Sequence, residues 1–479
     1  MQLIDIKTTV VVLIVLPLFS ALITPFKANH RVLFYIISLC FSALYVSVLI
    51  GTEITEQPIV LTPLLVFSFD KYSWLFTFLI GICWFITIIY SSAYSKYNFQ
   101  QKAEKFFTYL NVTVAVLTAN GLSGNIITLF FFYILSIPLI YPLVTLKGTK
   151  DSNETGKIYI KSLLLPSLVL LIPAIVILLN CCGLINFSSE GEESYGLFRQ
   201  NEFLSSIILL MFIWGFSKNS VAPFHYWLPK VSDTPAPVSA LIHSVASVQT
   251  GTIALIKIGV YVFGIDYLYK LNMNFFHTGW ITYLCGFTAL YTGWKAYKTD
   301  DLKKRFSYST VGQLSYIITA ILIGTKASLM GAILHIVTHS FAKMCLFFVA
   351  GFFNSAYKTV KTHDIAKIAP HHRWIVAVVA IAGLSISGFP FLAGYYSKDH
   401  MLLEEIHTKH YAAAAFLLIG SIINIMYIFP IIKAGFFFKA KQDFQVQAVP
   451  IPMAIAIGIC TLVTIGFSFY VYTIMRILN

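Results

Sequence analysis

Fourteen apolar runs, each long enough to cross a bilayer, take up most of this 479-residue chain. They fall near 8–26, 32–51, 73–94, 106–123, 125–146, 158–182, 203–222, 236–264, 275–296, 307–324, 327–354, 374–396, 411–438 and 449–474. A hydrocarbon layer about 30 Å thick is crossed by about 20 residues of helix. Inside it every backbone N–H and C=O must find a partner within the protein, so runs of this length become helices. Composition agrees: 11% of residues are charged, against about 25% in soluble domains. The fold class is therefore all-α, a polytopic membrane protein of about fourteen helices. The first run lacks the basic flank and small-residue site of a removable signal and is expected to stay.

A net charge of +13 would suggest nucleic acid in a soluble protein, but here its placement speaks to topology. Connections after odd-numbered runs hold 22 of the 33 lysines and arginines, from Lys27 and Arg31 to Lys439 and Lys441, and the opposite side holds 7. By the positive-inside rule the first set is cytoplasmic and both termini lie outside the cell (inner) membrane. No connection is long enough for a separate domain, so one membrane domain is expected over 1–479. The connection 183–202 is polar and acidic, faces outside in this topology, and suits a partner contact or a lid. No Gly-rich nucleotide loop, Ser-His-Asp arrangement or basic aromatic-interleaved surface is visible. The seven cysteines, among them Cys83, Cys181, Cys285, Cys345 and Cys460, lack metal-ligand spacing and read as small apolar filler. We expect no catalytic residue, cofactor or metal, and no chemistry beyond movement of ions or protons.

Against this background the run Gly331–Gly351, GAILHIVTHSFAKMCLFFVAG, stands out because it carries His335, His339 and Lys343. Four-residue spacing puts all three on one helix face over about 12 Å. An ionisable group at mid-bilayer costs about 2.5–3.5 kcal/mol on insertion scales, so three need a polar interior, and a proton path supplies one. The plainer alternative is histidines bonding neighbouring helices while Lys343 reaches an interface.

Other runs add to the set. In LSSIILLMFIWGFSKNSVAPFHYWLPK, Lys218 precedes Pro223 and Pro229, which break the seventh helix. Broken helices at membrane depth line cavities and mark ion sites; otherwise Lys218 sits at an interface. In the eighth run His243 comes about two turns in, with Ser239, Ser244, Ser247, Gln249 and Thr250 as packing or pathway groups, and Lys257 suits an anchor or cross-helix partner. The connection 295–305, KAYKTDDLKKRF, reads as a solvated segment. In the twelfth run Gly388, Pro390 and Gly394 imply a second break, with Lys398 and Asp399 after it, either lining a channel exit or lying at the outer surface. The breaks at runs 7 and 12 stand five helices apart, as in an inverted repeat with a first unit near 106–264 and a second near 275–438, flanked by 1–95 and 449–479.

These residues carry a resemblance. PFHYWLPKVSDTPAPVSALIHSV resembles the central signature of the antiporter-like subunits shared by respiratory complex I and Mrp-type cation/proton antiporters. DDLKKRFSYSTVGQLSYI is similar to their ninth-to-tenth connection, HIVTHSFAKMCLFFVAG to their eleventh helix and GFPFLAGYYSKD to their broken twelfth. The likeness spans at least 120–400. It implies fourteen helices with two inverted five-helix repeats, and proton-translocating roles for Lys218, His243, His335, His339, Lys343 and Lys398. The segment LFFFYILSIPLIYPLVTLKG places Ile134 where the family has a glutamate that pairs with the seventh-helix lysine, and Gln249 stands where several members have lysine. Between Glu104 and Asp151 there is no carboxylate at all, so the desolvation of Lys218 is not offset by an ion pair.

The resemblance implies a proton-translocating member of a multisubunit Na⁺ (or other monovalent cation)/proton antiporter, similar to the D-type component of the Mrp assemblies. Its partners would be other membrane subunits, protons and a monovalent cation, with no nucleic acid. The alternatives are a membrane component of a complex I-like NADH:quinone oxidoreductase or membrane hydrogenase, without its own redox site, and a non-pumping scaffold component.

Overall fold

The computed structural model describes residues 5–26, 31–184, 186–187, 199–439 and 445–478. Helices dominate: α1 (Ile6–Phe26), α2 (Arg31–Ile50), α3 (Lys71–Asn98), α4 (Ala103–Gly121), α5 (Ile126–Val144), α6 (Lys150–Cys182), α7 (Glu202–Gly215), α8 (Trp227–Val231) and α9 (Ala236–Phe263) form the first half. The second half holds α10 (Ile265–Met273), α11 (Trp280–Lys298), α12 (Leu302–Ile323), α13 (Lys326–Tyr357), α14 (Thr362–Ile368), α15 (Arg373–Ser387), α16 (Ala393–His407), α17 (Tyr411–Phe437) and α18 (Ile451–Leu478). Among the described residues ten helices are long and apolar enough to cross a membrane: α1, α2, α3, α5, α6, α9, α12, α13, α17 and α18. Each of the fourteen expected runs falls on a helix or a helix pair, but length and apolarity alone do not establish fourteen crossings.

Local chemistry sets the helix starts. Asp70, Asn125, Thr149, Asn201, Asp301 and Thr325 each accept a bond from a backbone N–H three residues on, taking up one donor the first turn leaves free. At α13 the reciprocal bond from Ser328 completes a capping box. Between α2 and α3 the chain makes a hairpin that the sequence did not announce, β1 (Thr55–Val60) against β2 (Val66–Phe69), antiparallel with Ile59 facing Phe67. β2 also bonds the α4–α5 link, through Ser68 N to Leu122 O and Gly124 N to Val66 O, both at 2.7 Å.

Three helices form the centre. The apolar windows of α9 and α13 are wholly buried and that of α12 is 94% buried, whereas those of α1, α2, α5, α6, α17 and α18 are between 33% and 44% buried. The outer helices turn large apolar side chains such as Leu22, Leu462 and Phe469 outward, as a lipid-facing surface requires. The helices carrying His243, His335, His339 and Lys343 are thus walled off from lipid.

Both expected breaks are present. Between α7 and α8 the helix gives way to a 3₁₀ turn, Ser217–Asn219, with Ser220 left-handed at φ 55°. Between α15 and α16 Gly388 ends the first half at φ 81°, a conformation glycine adopts without strain. Gly394 then lies so close to α15 that an added Cβ would sit 1.7 Å from Ser385 O.

The connection 295–305 departs from expectation. Asp301 caps α12, but Lys303 and Arg305 are buried. Lys303 Nζ donates to Thr234 O at 2.7 Å, and the Arg305 guanidinium donates to Thr299 O and Tyr427 O at 2.8–3.0 Å. Carbonyls of a loop, of the end of α11 and of the middle of α17 replace water here, so these cations pin α12 to its neighbours instead of projecting into solvent. In the acidic connection 183–202, residues 185 and 188–198 lie outside the described residues, as do Lys27 and Lys441.

The Gly394 contact gives a direct test of the α15–α16 break. Gly394→Ala overpacks it and lowers stability by roughly 1–3 kcal/mol. Gly458→Ala on α18, where nothing lies within 4 Å, leaves the thermal unfolding midpoint in detergent within error of wild type.

Candidate functional site

All six expected residues are buried, and the structure brings five of them around α12. His243 lies on a π-turn of α9, Ile242–Ala246, whose wider winding shifts its side chain from the regular helical position. Its ring stacks on Phe347 at 4.4 Å and its Nε2 lies 3.0 Å from Ser307 Oγ. Ser307 donates to Lys303 O, so it accepts from a protonated Nε2, which fixes the neutral tautomer.

His335 has a partner on each nitrogen, Gln313 Oε1 at 3.0 Å from Nε2 and Ser397 Oγ at 2.9 Å from Nδ1. Ser397 also reaches Gly394 O at 3.0 Å. In the neutral ring the Ser397 hydroxyl donates to Nδ1. In the protonated ring Nδ1–H donates to Ser397 Oγ, whose hydrogen turns to Gly394 O. Rotation of one hydroxyl therefore satisfies both charge states without moving a heavy atom.

His339 lies one turn further along α13, its ring centroid 6.4 Å from that of His335. Gln249 Nε2 donates to His339 Nδ1 at 3.2 Å, and Thr252 Oγ1 holds the Gln249 carbonyl at 2.8 Å, which sets the amide's orientation. His339 Nε2 then carries the proton, buried and with no hydrogen-bond partner among the described residues. Lys343, a turn beyond, donates to Ser309 Oγ at 2.6 Å and Phe306 O at 3.0 Å, and Ser309 bonds Tyr427 OH. Lys398 follows Ser397 in sequence; its Nζ donates to Ser421 Oγ at 2.8 Å and lies 5.2 Å over the Tyr316 ring.

Lys218 is the outlier, on the turn between α7 and α8. Its ammonium meets Ser136 Oγ and lies 4.8 Å over the ring of Tyr133 on α5. Ile134 is half-buried and packs as an apolar side chain, while Ser136, two residues on, stands opposite Lys218. A helix advances 100° per residue, so positions 134 and 136 differ by more than half a turn, and motif alignment alone cannot tell which faces the lysine. The turn touches α9 at Gly251, where an added Cβ would lie 2.6 Å from Asn219 Oδ1. Both amide atoms of Asn219 are buried without a partner among the described residues, between Lys218 and the Gln249 end of the series.

Sequence reasoning missed the connecting groups Gln313, Ser307, Ser309, Ser397, Ser136 and Tyr427. Their signal was present as polar residues inside apolar runs, but serine is common packing material. It also missed Glu405, 2% exposed and two turns beyond Lys398 on α16, whose Oε2 has no hydrogen-bond partner among the described residues. Lys257, expected as an anchor or cross-helix partner, forms a buried ion pair with Asp70 at 3.7 Å.

Comparison with known proteins agrees with this geometry. The family described as NADH:quinone oxidoreductase/Mrp antiporter, transmembrane, matches residues 123–424. The chain is 24% identical to the D component of the Na⁺/H⁺ antiporter of Alkalihalophilus pseudofirmus, over 76% of this chain and 73% of that protein. It is 31% identical to the L component of the NADH-quinone oxidoreductase of Rickettsia felis, over 56% of this chain and 40% of the relative. It is 26% identical to the A/B component of a probable K⁺/H⁺ antiporter of Rhizobium meliloti, over 71% of this chain and 33% of the relative. Against the last two the chain thus spans about two-fifths and one-third of the relative's length. Its fold superposes with TM-score 0.84 on a chain of the membrane-bound sulfane sulfur reductase, an archaeal respiratory membrane complex, at 18% identity and over 98% and 96% of the two chains. With the family's match covering well over half its length, the chain belongs to the NADH:quinone oxidoreductase/Mrp antiporter membrane-subunit family.

Proposed function

We propose that this chain is the proton-translocating component of a multisubunit monovalent cation/proton antiporter. It would move protons along Lys218, His243, His335, His339, Lys343 and Lys398, with both termini outside the cell membrane. The observation that carries this reading is the spacing of buried titratable groups by hydroxyls and amides, with His335 able to hold or lack a proton through rotation of Ser397. Length favours the D-type relative, the one of the three relatives above of which the chain covers more than two-thirds. We take the breaks flanking the series, at Ser217–Asn219 and after Gly388, as the matched points of two inverted repeats. The membrane subunits that complete such an assembly would be its partners.

One observation favours a second reading, a scaffold that holds the assembly together without pumping. Among the described residues no carboxylate pairs with Lys218, where the family's ion pair would operate. Replacing Lys218 by Ala separates the two. Under the translocating reading, cation-dependent proton flux into vesicles of the assembled complex falls at least tenfold. Unchanged flux with normal assembly leaves the scaffold reading standing.

The hydroxyl at residue 397 gives a finer test. Ser397→Ala removes a hydrogen bond that is worth about 1–1.5 kcal/mol more to the charged His335 than to the neutral ring, so protonating His335 is harder by that amount and the rate drops roughly five- to tenfold. Thr338→Val on the same helix, whose hydroxyl bonds only Leu334 O of its own turn, leaves flux unchanged. A pH-sensitive dye in the same vesicles reads both.

A further inference from the structure

Lys257, like Lys303, is a buried lysine that the lateral series does not use. Its Nζ sits among five oxygens: Ser123 O at 2.7 Å, Gly121 O and Ser73 Oγ at 2.8 Å, Ser68 Oγ at 3.5 Å and Asp70 Oδ2 at 3.7 Å. Ser68, Asp70, Ser73, Ser123 and Lys257 are all at most 2% exposed. Gly121 is the last residue of α4, so its carbonyl has no N–H of its own helix to accept from, and the negative end of that helix faces the ammonium. The cage is rigid without the lysine. Ser68 Oγ and Ser73 Oγ both donate to Asp70 Oδ2, Ser73 N donates to Asp70 Oδ1, and Ser68 N ties β2 to Leu122 O. Phe187, stacked on Tyr261, covers one side with its ring 5.9 Å from Nζ.

A structural ion pair would bring the carboxylate closest. Here Asp70 is the most distant of the five, and neutral oxygens make the short contacts. Helix-end and loop carbonyls, hydroxyls and one carboxylate around a compact cation are the ligand set that membrane proteins use for bare alkali cations. We infer that this cage is an alkali-cation site whose resident occupant is the Lys257 ammonium, so that a cation enters only when Lys257 gives up its proton and withdraws. Charge balances: either the ammonium or one alkali cation neutralises Asp70. In the exchange one N–H bond breaks, the electron pair stays on Nζ, the proton passes to water, and one cation takes its place. Asp70 is the only charged group acting on Lys257 among the described residues. The site stands on its geometry, whereas its part in cation/proton exchange rests on the function proposed above.

The test uses the full chain in its assembled complex carrying Lys257→Ala, with NaCl, KCl and choline chloride as probes. The emptied cage binds Na⁺ or K⁺, so the unfolding midpoint rises by about 3 °C or more between 1 and 300 mM of an alkali salt and not with choline. Wild type shows no such response at neutral pH, and adding Asp70→Asn to Lys257→Ala abolishes it. The larger of the Na⁺ and K⁺ responses identifies the cation. An equal response to all three salts overturns the site. Lys257→Met, which keeps the side-chain volume, covers poor folding of the alanine variant. Accumulation of either variant in alkali media but not choline supports the site, and failure of both in every medium overturns it. Because binding is read without proton flux, loss of the alkali response leaves the translocation reading untouched, and unchanged flux in Lys218→Ala leaves the cage untouched.

Discussion

A protonated side chain inside this bundle, Lys257 beside Asp70 apart, has hydroxyls, amides, carbonyls and aromatic faces to replace water among the described residues, and that constraint orders the rest of the structure. It explains why α9, α12 and α13 are central and almost wholly buried, while α1, α2, α5, α6, α17 and α18, which carry none of the six titratable groups of the series, lie outside them. It also explains why α12 is rich in polar groups although it contributes no relay residue itself. Ser307, Ser309 and Gln313 each serve a titratable group on a neighbouring helix, His243, Lys343 and His335 in turn. The backbone of α12 contributes as well, through Phe306 O to Lys343. Without α12, His243, His335 and Lys343 would each carry an unrelieved desolvation cost of several kcal/mol.

The nature of the partners decides what these groups can do. Lys218, Lys343 and Lys398 meet hydroxyls, carbonyls and aromatic rings, and Lys257 alone among the buried lysines of the membrane interior pairs with a carboxylate. A fixed carboxylate at 4 Å favours the protonated form by about 4 kcal/mol at an effective dielectric of 20, whereas a hydrogen bond contributes about 1 kcal/mol. A lysine among hydroxyls can therefore lose its proton at a cost that thermal fluctuation and a neighbour's charge supply, and a paired one only when another cation takes its place. The series is built from the first kind.

Much of this was legible in the amino-acid order. Helix positions followed from the apolar runs because a bilayer allows one solution to backbone hydrogen bonding. His335, His339 and Lys343 were legible because four-residue spacing and the cost of burial leave few other purposes for them. What stayed hidden depended on rotation about helix axes and on long-range packing. That Ser136 stands opposite Lys218 turns on which way α5 faces, and only its packing against the turn that carries Lys218 settles that. The pairing of Lys257 with Asp70 joins residues 187 positions apart through a hairpin absent from the hydropathy profile. Lys303 and Arg305 read as solvated because charged runs in short connections usually are; their burial depends on carbonyls supplied by Thr234, Thr299 and Tyr427.

The two broken helices gain meaning from where they stand relative to this rigid middle. α13, which carries three of the six titratable groups, is an unbroken helix of 32 residues, and its side chains reach their partners without backbone irregularity. Lys218 and Lys398, at the ends of the series, each lie at or just after a break. A break releases carbonyls and N–H groups from the helical ladder, and its few free dihedrals let a side chain change neighbours without shifting a whole helix. Under the function proposed above, a proton at His335 would be accommodated by rotation of the Ser397 hydroxyl, whereas loading and unloading at the ends would need a lysine to exchange one environment for another. The irregular backbone is found where that exchange would occur, and the regular helix where it would not.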